Sequence, residues 1–331
     1  MAERFALGFG GRLLVVDEIH RYPGWQQEIK NVHDLLPDLQ LIATGSSSLD
    51  LARGAHDLSR RALVGELPQL SFREFLALDQ GVERNAVTLG DLLDHHAELS
   101  GAIVADLRDR GTTVLERFRA YLEAGAYPFF LGKRPFDFHQ QVVGALQAVL
   151  YQDIPAAFGT APQAAVTLQR LLNLVTTSEP YVPNIEGLAR DLGIAKETAY
   201  HYLDYLERSH VLAPLPRARA GSPAVRKPAK IYLANPTLYA AVAGVKGLTV
   251  RLGTLRESFL LSHLSVDHRV TAHAKADFVV EHVDGPVVIE VGGRGKGAQQ
   301  LGDGDRGVLA LDGIEHGLAN RIPLWAFGFL Y

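Results

Sequence analysis

The 331-residue sequence contains no cysteine. That absence excludes disulfides, thiolate metal sites and a cysteine nucleophile, and it fits a reducing compartment. No apolar run reaches the roughly 18 residues that a membrane-spanning helix needs. The opening MAERFALGFGGRLLVV has a short apolar stretch broken by glycines and Arg12, and it runs into Asp17 and Glu18 without a small-residue cleavage site. It does not read as a secretory signal, so a cytoplasmic chain with no membrane partner is expected. A large excess of one charge is missing too: 33 lysines and arginines stand against 37 aspartates and glutamates, a formal net charge of -4. Such a balance exerts no global pull on nucleic acid or anionic lipid, and any contact of that kind must come from a local patch. The 13 histidines are dispersed, no His/Cys cluster suggests zinc, and His95-His96 reads as an exposed helical pair.

What is present reads as α/β in several segments, since the chain exceeds one comfortable hydrophobic core. Leu13 to Val16 is a continuous apolar run, Trp25 to Leu36 is amphipathic, and Leu39 to Ala43 is apolar again. This is the pattern of two buried parallel strands joined by a crossover helix. From Phe72 to about Phe158 the pattern is mostly helical. Ile185 to Leu192 and Lys196 to Arg208 are two helices broken by Gly193, the signature of a helix-turn-helix, and Val211 to Leu215 follows as the first strand of a wing. The basic stretch Arg217 to Lys230, interrupted by prolines, reads as a wing loop or linker. After it come a strand at Lys230 to Leu233, a helix at Leu255 to His263, and strands at Ala276 to Glu281 and Pro286 to Val291 joined by an Asp284-Gly285 turn. The expected division is 1–76, 77–160, 161–226 and 227–331.

Three places carry candidate chemistry. Leu13-Leu14-Val15-Val16-Asp17-Glu18 puts two acids at the carboxyl end of a buried strand, where open α/β sheets bind ligands. Asp17 there would hold a magnesium shell and Glu18 would orient or polarise an attacking water. An apolar strand that simply meets solvent ends the same way, and Thr44 with Ser46 reads equally as a small polar turn. In the second place, the helix beginning at Lys196 exposes Lys196, Thr198, Tyr200 and His201, groups suited to phosphates and base edges. Arg217, Arg219, Arg226, Lys227 and Lys230 would add a positive wing, so DNA is one candidate partner. The alternative is a helical module that only packs against protein.

The ordered blocks Asp17-Glu18-Ile19-His20-Arg21-Tyr22-Pro23-Gly24-Trp25, Thr44-Gly45-Ser46-Ser47-Ser48, Leu70-Ser71-Phe72-Arg73-Glu74-Phe75-Leu76 and Tyr121 to Pro128 closely resemble prokaryotic AAA+-like ATPases that carry a winged helix and a C-terminal domain of uncharacterised function. The resemblance continues through Lys230 to Pro236, Glu290 to Lys296 and Ile322 to Tyr331. It implies a partial P-loop-type parallel sheet, a helical region, a winged helix, and a C-terminal α/β domain similar to restriction endonucleases. It also implies ATP and Mg2+ as cofactors, with Asp17, Thr44 and Ser46 at the nucleotide. Arg61, beside Arg60, stands where the family has an arginine that could serve a neighbouring subunit's site in a homo-oligomer; a surface pair of arginines is the other reading. Family members carry a glycine-rich loop ending in Gly-Lys-Thr or Gly-Lys-Ser, and nothing here matches it. Gly8-Phe9-Gly10-Gly11-Arg12 precedes the strand and reads as a frayed start, leaving two expectations open: amino-terminal truncation or a lost ATPase.

The third place follows from the endonuclease likeness, which implies an aspartate on one hairpin strand and Glu-x-Lys on the next, with the carboxylates on a metal. Asp277 and Glu290 fall on the two strands, and Glu257 on the preceding helix is a third carboxylate. The lysine position holds Gly292, with Lys296 or Arg294 left to reach back from the loop. An active metal-dependent nuclease and a retired fold kept for recognition both remain open at this point.

Overall fold

The computed structural model describes residues 2–19, 22–45, 58, 61–217, 228–302 and 306–331. Ser46, Arg60, Arg219, Arg226 and Lys227 lie outside them. The chain is mixed α/β and divides into two units, one formed by 1–67 with 151–161 and the other by 68–150 with 162–331.

The first unit is built on β1 (Leu13–Val16) and β2 (Gln40–Ala43), paired in parallel with Leu13 opposite Gln40 and Val16 opposite Ala43. The crossover is α1 (Trp25–Leu35), started by Gly24 at φ 78°, a left-handed conformation that glycine adopts without steric cost. Trp25 and Ile29 of α1 pack with Ile19 and Leu58 against Val16, Leu41 and Ala43. Burial on both faces, expected from the unbroken apolar runs, is not what the structure shows. Alternate residues of each strand point to opposite faces, and the described residues cover only one of them; Leu13, Val15 and Ile42 on the other are about half exposed, at 49%, 57% and 50%. Ahead of β1, a helical turn spans Arg4–Gly8, and the Gly11 amide donates to the Phe5 carbonyl at 3.0 Å.

The second unit gathers helices around a five-stranded sheet. Its first helix, α2 (Phe72–Gln80), begins at a reciprocal cap: the Glu74 amide donates to the Ser71 hydroxyl, and the Ser71 amide donates to the Glu74 carboxylate. Residues 68–76 thus pack in this unit, because Phe72 is fully buried among Phe118, Tyr121, Trp325 and Phe329 at centroid distances of 5.5 to 6.3 Å. Next come α3 (Leu89–Asp109), α4 (Val114–Ala120) and α5 (Pro135–Ala148). Within α3 the helix kinks at His95, and His96 is 5% exposed with Nε2 3.0 Å from the Ala319 carbonyl. That corrects the reading of an exposed histidine pair: the kink turns the second ring inward.

Following α6 (Ile154–Phe158) of the first unit, the second resumes with α7 (Pro162–Thr177), α8 (Ile185–Leu192) and α9 (Lys196–Arg208). Gly193, at φ 69°, closes α8 before α9 begins. An antiparallel pair follows, β3 (Leu212–Leu215) with β4 (Lys230–Leu233), and Ile231 also bridges Tyr181. Then α10 (Pro236–Lys246) and α11 (Leu252–Asp267) lead into the sheet β5 (Val270–Ala272), β6 (Phe278–Val280), β7 (Val287–Gly293), β8 (Arg306–Asp312) and β9 (Arg321–Pro323). The first three strands run antiparallel and the last three parallel. The inner residues of β7 are apolar except Glu290, which is 2% exposed. A fully buried carboxylate in such a strand needs a partner, and its surroundings define the site.

Candidate functional site

At the sheet of the second unit, Phe278 lies opposite Ile289, so Asp277, just before β6, and Glu290 come side by side across the hairpin. The Val291 amide donates to Asp277 Oδ2 at 3.0 Å and fixes that carboxylate. Glu257 comes from α11 above the sheet. Lys230 Nζ stands between the two, 2.7 Å from Glu257 Oε2 and 2.9 Å from Asp277 Oδ1, and the Tyr232 hydroxyl donates to the same Glu257 oxygen at 2.6 Å. Lys230 is therefore paired with these two carboxylates and is not a cation of a solvent-facing wing. Glu257, Asp277 and Glu290, with Arg256, Lys275, Lys296 and Gln300, border an open cavity of about 400 Å³.

Lys296 reaches back from the loop after β7 onto Glu290. Its Nζ is 2.5 Å from Glu290 Oε1. A Cβ placed on Gly292 would lie 2.6 Å from both Cβ and Cγ of Lys296, so the bare glycine is what lets the aliphatic stem fold back along β7. Glu290 Oε2 is buried and has no hydrogen-bond partner among the described residues.

The electrostatics follow from burial. Desolvation raises the Glu257 carboxyl's pKa, the neighbouring Asp277 raises it further, and Lys230 opposes both. Glu290 is likewise raised by burial, with Lys296 pulling the other way. Burial works against the Lys230 ammonium, yet Glu257 and Asp277 together hold its pKa above the ordinary lysine value. The three carboxylates are faced by cations: Lys230 on Glu257 and Asp277, Lys296 on Glu290, with Arg256 and Lys275 also on the cavity's border. Carboxylate oxygens are the donors that hard divalent cations prefer, and an unpaired buried carboxylate oxygen is a free ligand position, so the residues present fit such an ion. Among the described residues, no three acids or histidines stand as a ready coordination cluster.

In the first unit, Asp17 and Thr44 are brought together at the carboxyl ends of the parallel pair, and the Thr44 hydroxyl donates to Asp17 Oδ1. The Thr44 amide donates to the Val16 carbonyl and the Ile19 amide to the Thr44 carbonyl, both at 2.9 Å. Between them Glu18 sits at φ 53°, a left-handed conformation that costs an L-residue about 1 kcal/mol. Arg61 makes a two-pronged pair with Asp34, at 2.9 and 3.0 Å. That contact, with help from His33, holds the Asp34 carboxyl down to about 2. On α9, Lys196 and His201 are exposed, whereas Thr198 and Tyr200 are half-buried. Lys196 Nζ is 2.8 Å from Glu186 Oε1, so its charge is already matched within the chain.

Comparison with known proteins places the N-terminal segment in a class. The family of AAA domains matches residues 1–76, which makes this segment AAA-like and relates it to ATPases. A domain of unknown function, DUF8612, matches residues 115–249. An uncharacterized protein of Methanocaldococcus jannaschii is 26% identical over 318 residues, 91% of this chain. The chain spans 66% of that relative's length. No helix among the described residues is long and apolar enough to cross a membrane.

Proposed function

We propose that the chain is part of an AAA+-type ATP-binding protein in which the first unit supplies the magnesium and water side of the nucleotide site. The observation that supports this is the joined pair Asp17 and Thr44 at the carboxyl edge of a parallel sheet, next to Glu18 in a strained backbone turn. Strain of that kind recurs at functional turns. The chemistry Mg2+ would supply there is neutralisation of phosphate charge. Asp17 would orient that ion's water shell, Thr44 would fix Asp17, and Glu18 would accept a proton from the attacking water. The sequence has no lysine-bearing phosphate loop, so phosphate binding needs residues beyond those described for the first unit. The test is titration of the complete gene product with a fluorescent ATP analogue and Mg2+. Asp17→Ala should weaken Mg2+-dependent binding at least tenfold, and equal binding by the variant overturns the reading.

A second reading concerns the C-terminal cavity and rests on the unpaired Glu290 Oε2. Here Glu257, Asp277 and Glu290 would hold a divalent cation and Lys296 would stabilise charge on a phosphodiester, with the helix-turn-helix, read as a winged helix, presenting DNA. A divalent cation in such a place lowers the pKa of a bound water and polarises a phosphoryl oxygen. Mg2+-dependent cleavage of plasmid DNA that disappears in Asp277→Ala supports it; no cleavage and no cation binding at the cavity defeat it.

A further inference from the structure

Lys230 differs in origin from the charged groups that line the cavity, two of which it pairs with. Glu257, Asp277, Glu290 and Lys296 come from α11 and the β6–β7 hairpin with its following loop, whereas Lys230 opens β4, the second strand after the helix-turn-helix. Its ammonium stands within hydrogen-bond distance of two carboxylates from different elements. We propose that the Lys230 ammonium holds the place of a divalent cation between Glu257 and Asp277, and that the ion enters, bound by these two carboxylates and by Glu290, as Lys230 withdraws. The inference rests on the second reading above and adds its regulation.

Two observations support it beyond the grouping of acids. Glu290 borders the cavity at 2% exposure, and its buried Oε2 has no hydrogen-bond partner among the described residues, its other oxygen being taken by Lys296. Lys230 thus serves two of the three carboxylates and leaves a donor unused, whereas a divalent ion takes six or more oxygens and can accept all three. The second is access. The Lys230 side chain is 24% exposed, and a flexible four-carbon stem can rotate outward while β4 keeps its pairing with β3. Cation affinity at this cavity is therefore set by competition with a tethered ammonium, and a change in β4 changes the affinity.

The experiment compares wild type with Lys230→Gln and Lys230→Met, following Mn2+ binding by the loss of free-ion EPR signal and thermal midpoints with and without Mn2+. Lys230→Gln retains an amide donor for the carboxylates and serves as the folded variant should Lys230→Met not fold. The charge-removing variants should bind Mn2+ at least tenfold more tightly than wild type, and their lowered midpoints should recover on adding it. Lys230→Arg should bind no more tightly than wild type. Adding Glu257→Gln to Lys230→Gln should abolish the gain. If wild type binds Mn2+ as tightly as Lys230→Gln, the tethered competitor is refuted while the cation reading stands. If neither binds, the cation reading fails as well.

Discussion

His263 is a titratable group sealed in the apolar core of the second unit, and its protonation should make stability depend on pH in a calculable way. It is 1% exposed, between Phe259 and Tyr331 at ring distances of 4.2 and 5.4 Å. Nδ1 lies 2.8 Å from the Phe259 carbonyl and donates its proton there, while Nε2 faces the Tyr121 hydroxyl at 3.2 Å. Burial disfavours the imidazolium and lowers the pKa from 6.5 to about 4, the Phe259 carbonyl opposing part of that shift. Because the folded value lies below the unfolded one, the unfolded chain takes up the proton first. The stabilisation is complete above about pH 6.5 and is lost as pH falls through 6.5 toward 4. The full span is about 3 kcal/mol, at 1.36 kcal/mol per pKa unit, and roughly 2 kcal/mol of it falls between pH 7 and pH 5. Urea unfolding at those two pH values, followed by Trp325 fluorescence in a Trp25→Phe background, measures it. Wild type should lose about 2 kcal/mol more than His263→Phe over that interval. Equal losses in the two proteins would refute a neutral, desolvated His263.

Two further perturbations test the packing that carries the cavity. Lys296→Met leaves Glu290 without its cation and should cost about 2 kcal/mol, below the roughly 3–5 kcal/mol of fully enclosed pairs because Lys296 is 35% exposed. In a Glu290→Gln background the same change should cost far less, and an unchanged cost in urea unfolding argues against the pair. Gly328→Ala would put a Cβ 2.4 Å from Phe72 Cβ, so the terminal turn Leu324–Phe329 must shift from α2, with a loss of about 1–3 kcal/mol and a lowered melting temperature. A melting temperature equal to wild type would show that this contact relaxes freely.

The features legible in the sequence were those set by local chemistry. The apolar runs at Leu13 and Leu41, the glycine stop at Gly193 and the turn at Gly285 each act through neighbouring residues, and the structure has strands, a helix end and a hairpin at those places. Glu290 and Asp277 could be singled out through the likeness to restriction endonucleases, which implies acids on neighbouring hairpin strands. Lys230 could not be placed, since a lysine ending a basic, proline-broken stretch reads as a solvent cation; only the long-range packing of β4 against α11 turns it onto Glu257. His96 was misread for a related reason, because a helical kink changes which face a residue presents. The exposed side of β1 and β2 was illegible as well: an apolar run records what a strand can bury, and covering it depends on a second layer elsewhere.

The absence of a side chain at Gly292 has a consequence for how such chains diverge. Positions 292 and 296 compete for one volume, so a long residue at 296 is compatible only with the smallest residue at 292. Among relatives the two positions should covary: where a lysine occupies the position of Gly292, that of Lys296 is freed to take short or loop-forming residues. A linear Glu-x-Lys pattern would score one arrangement and miss the other, although both put an ammonium beside the same buried carboxylate.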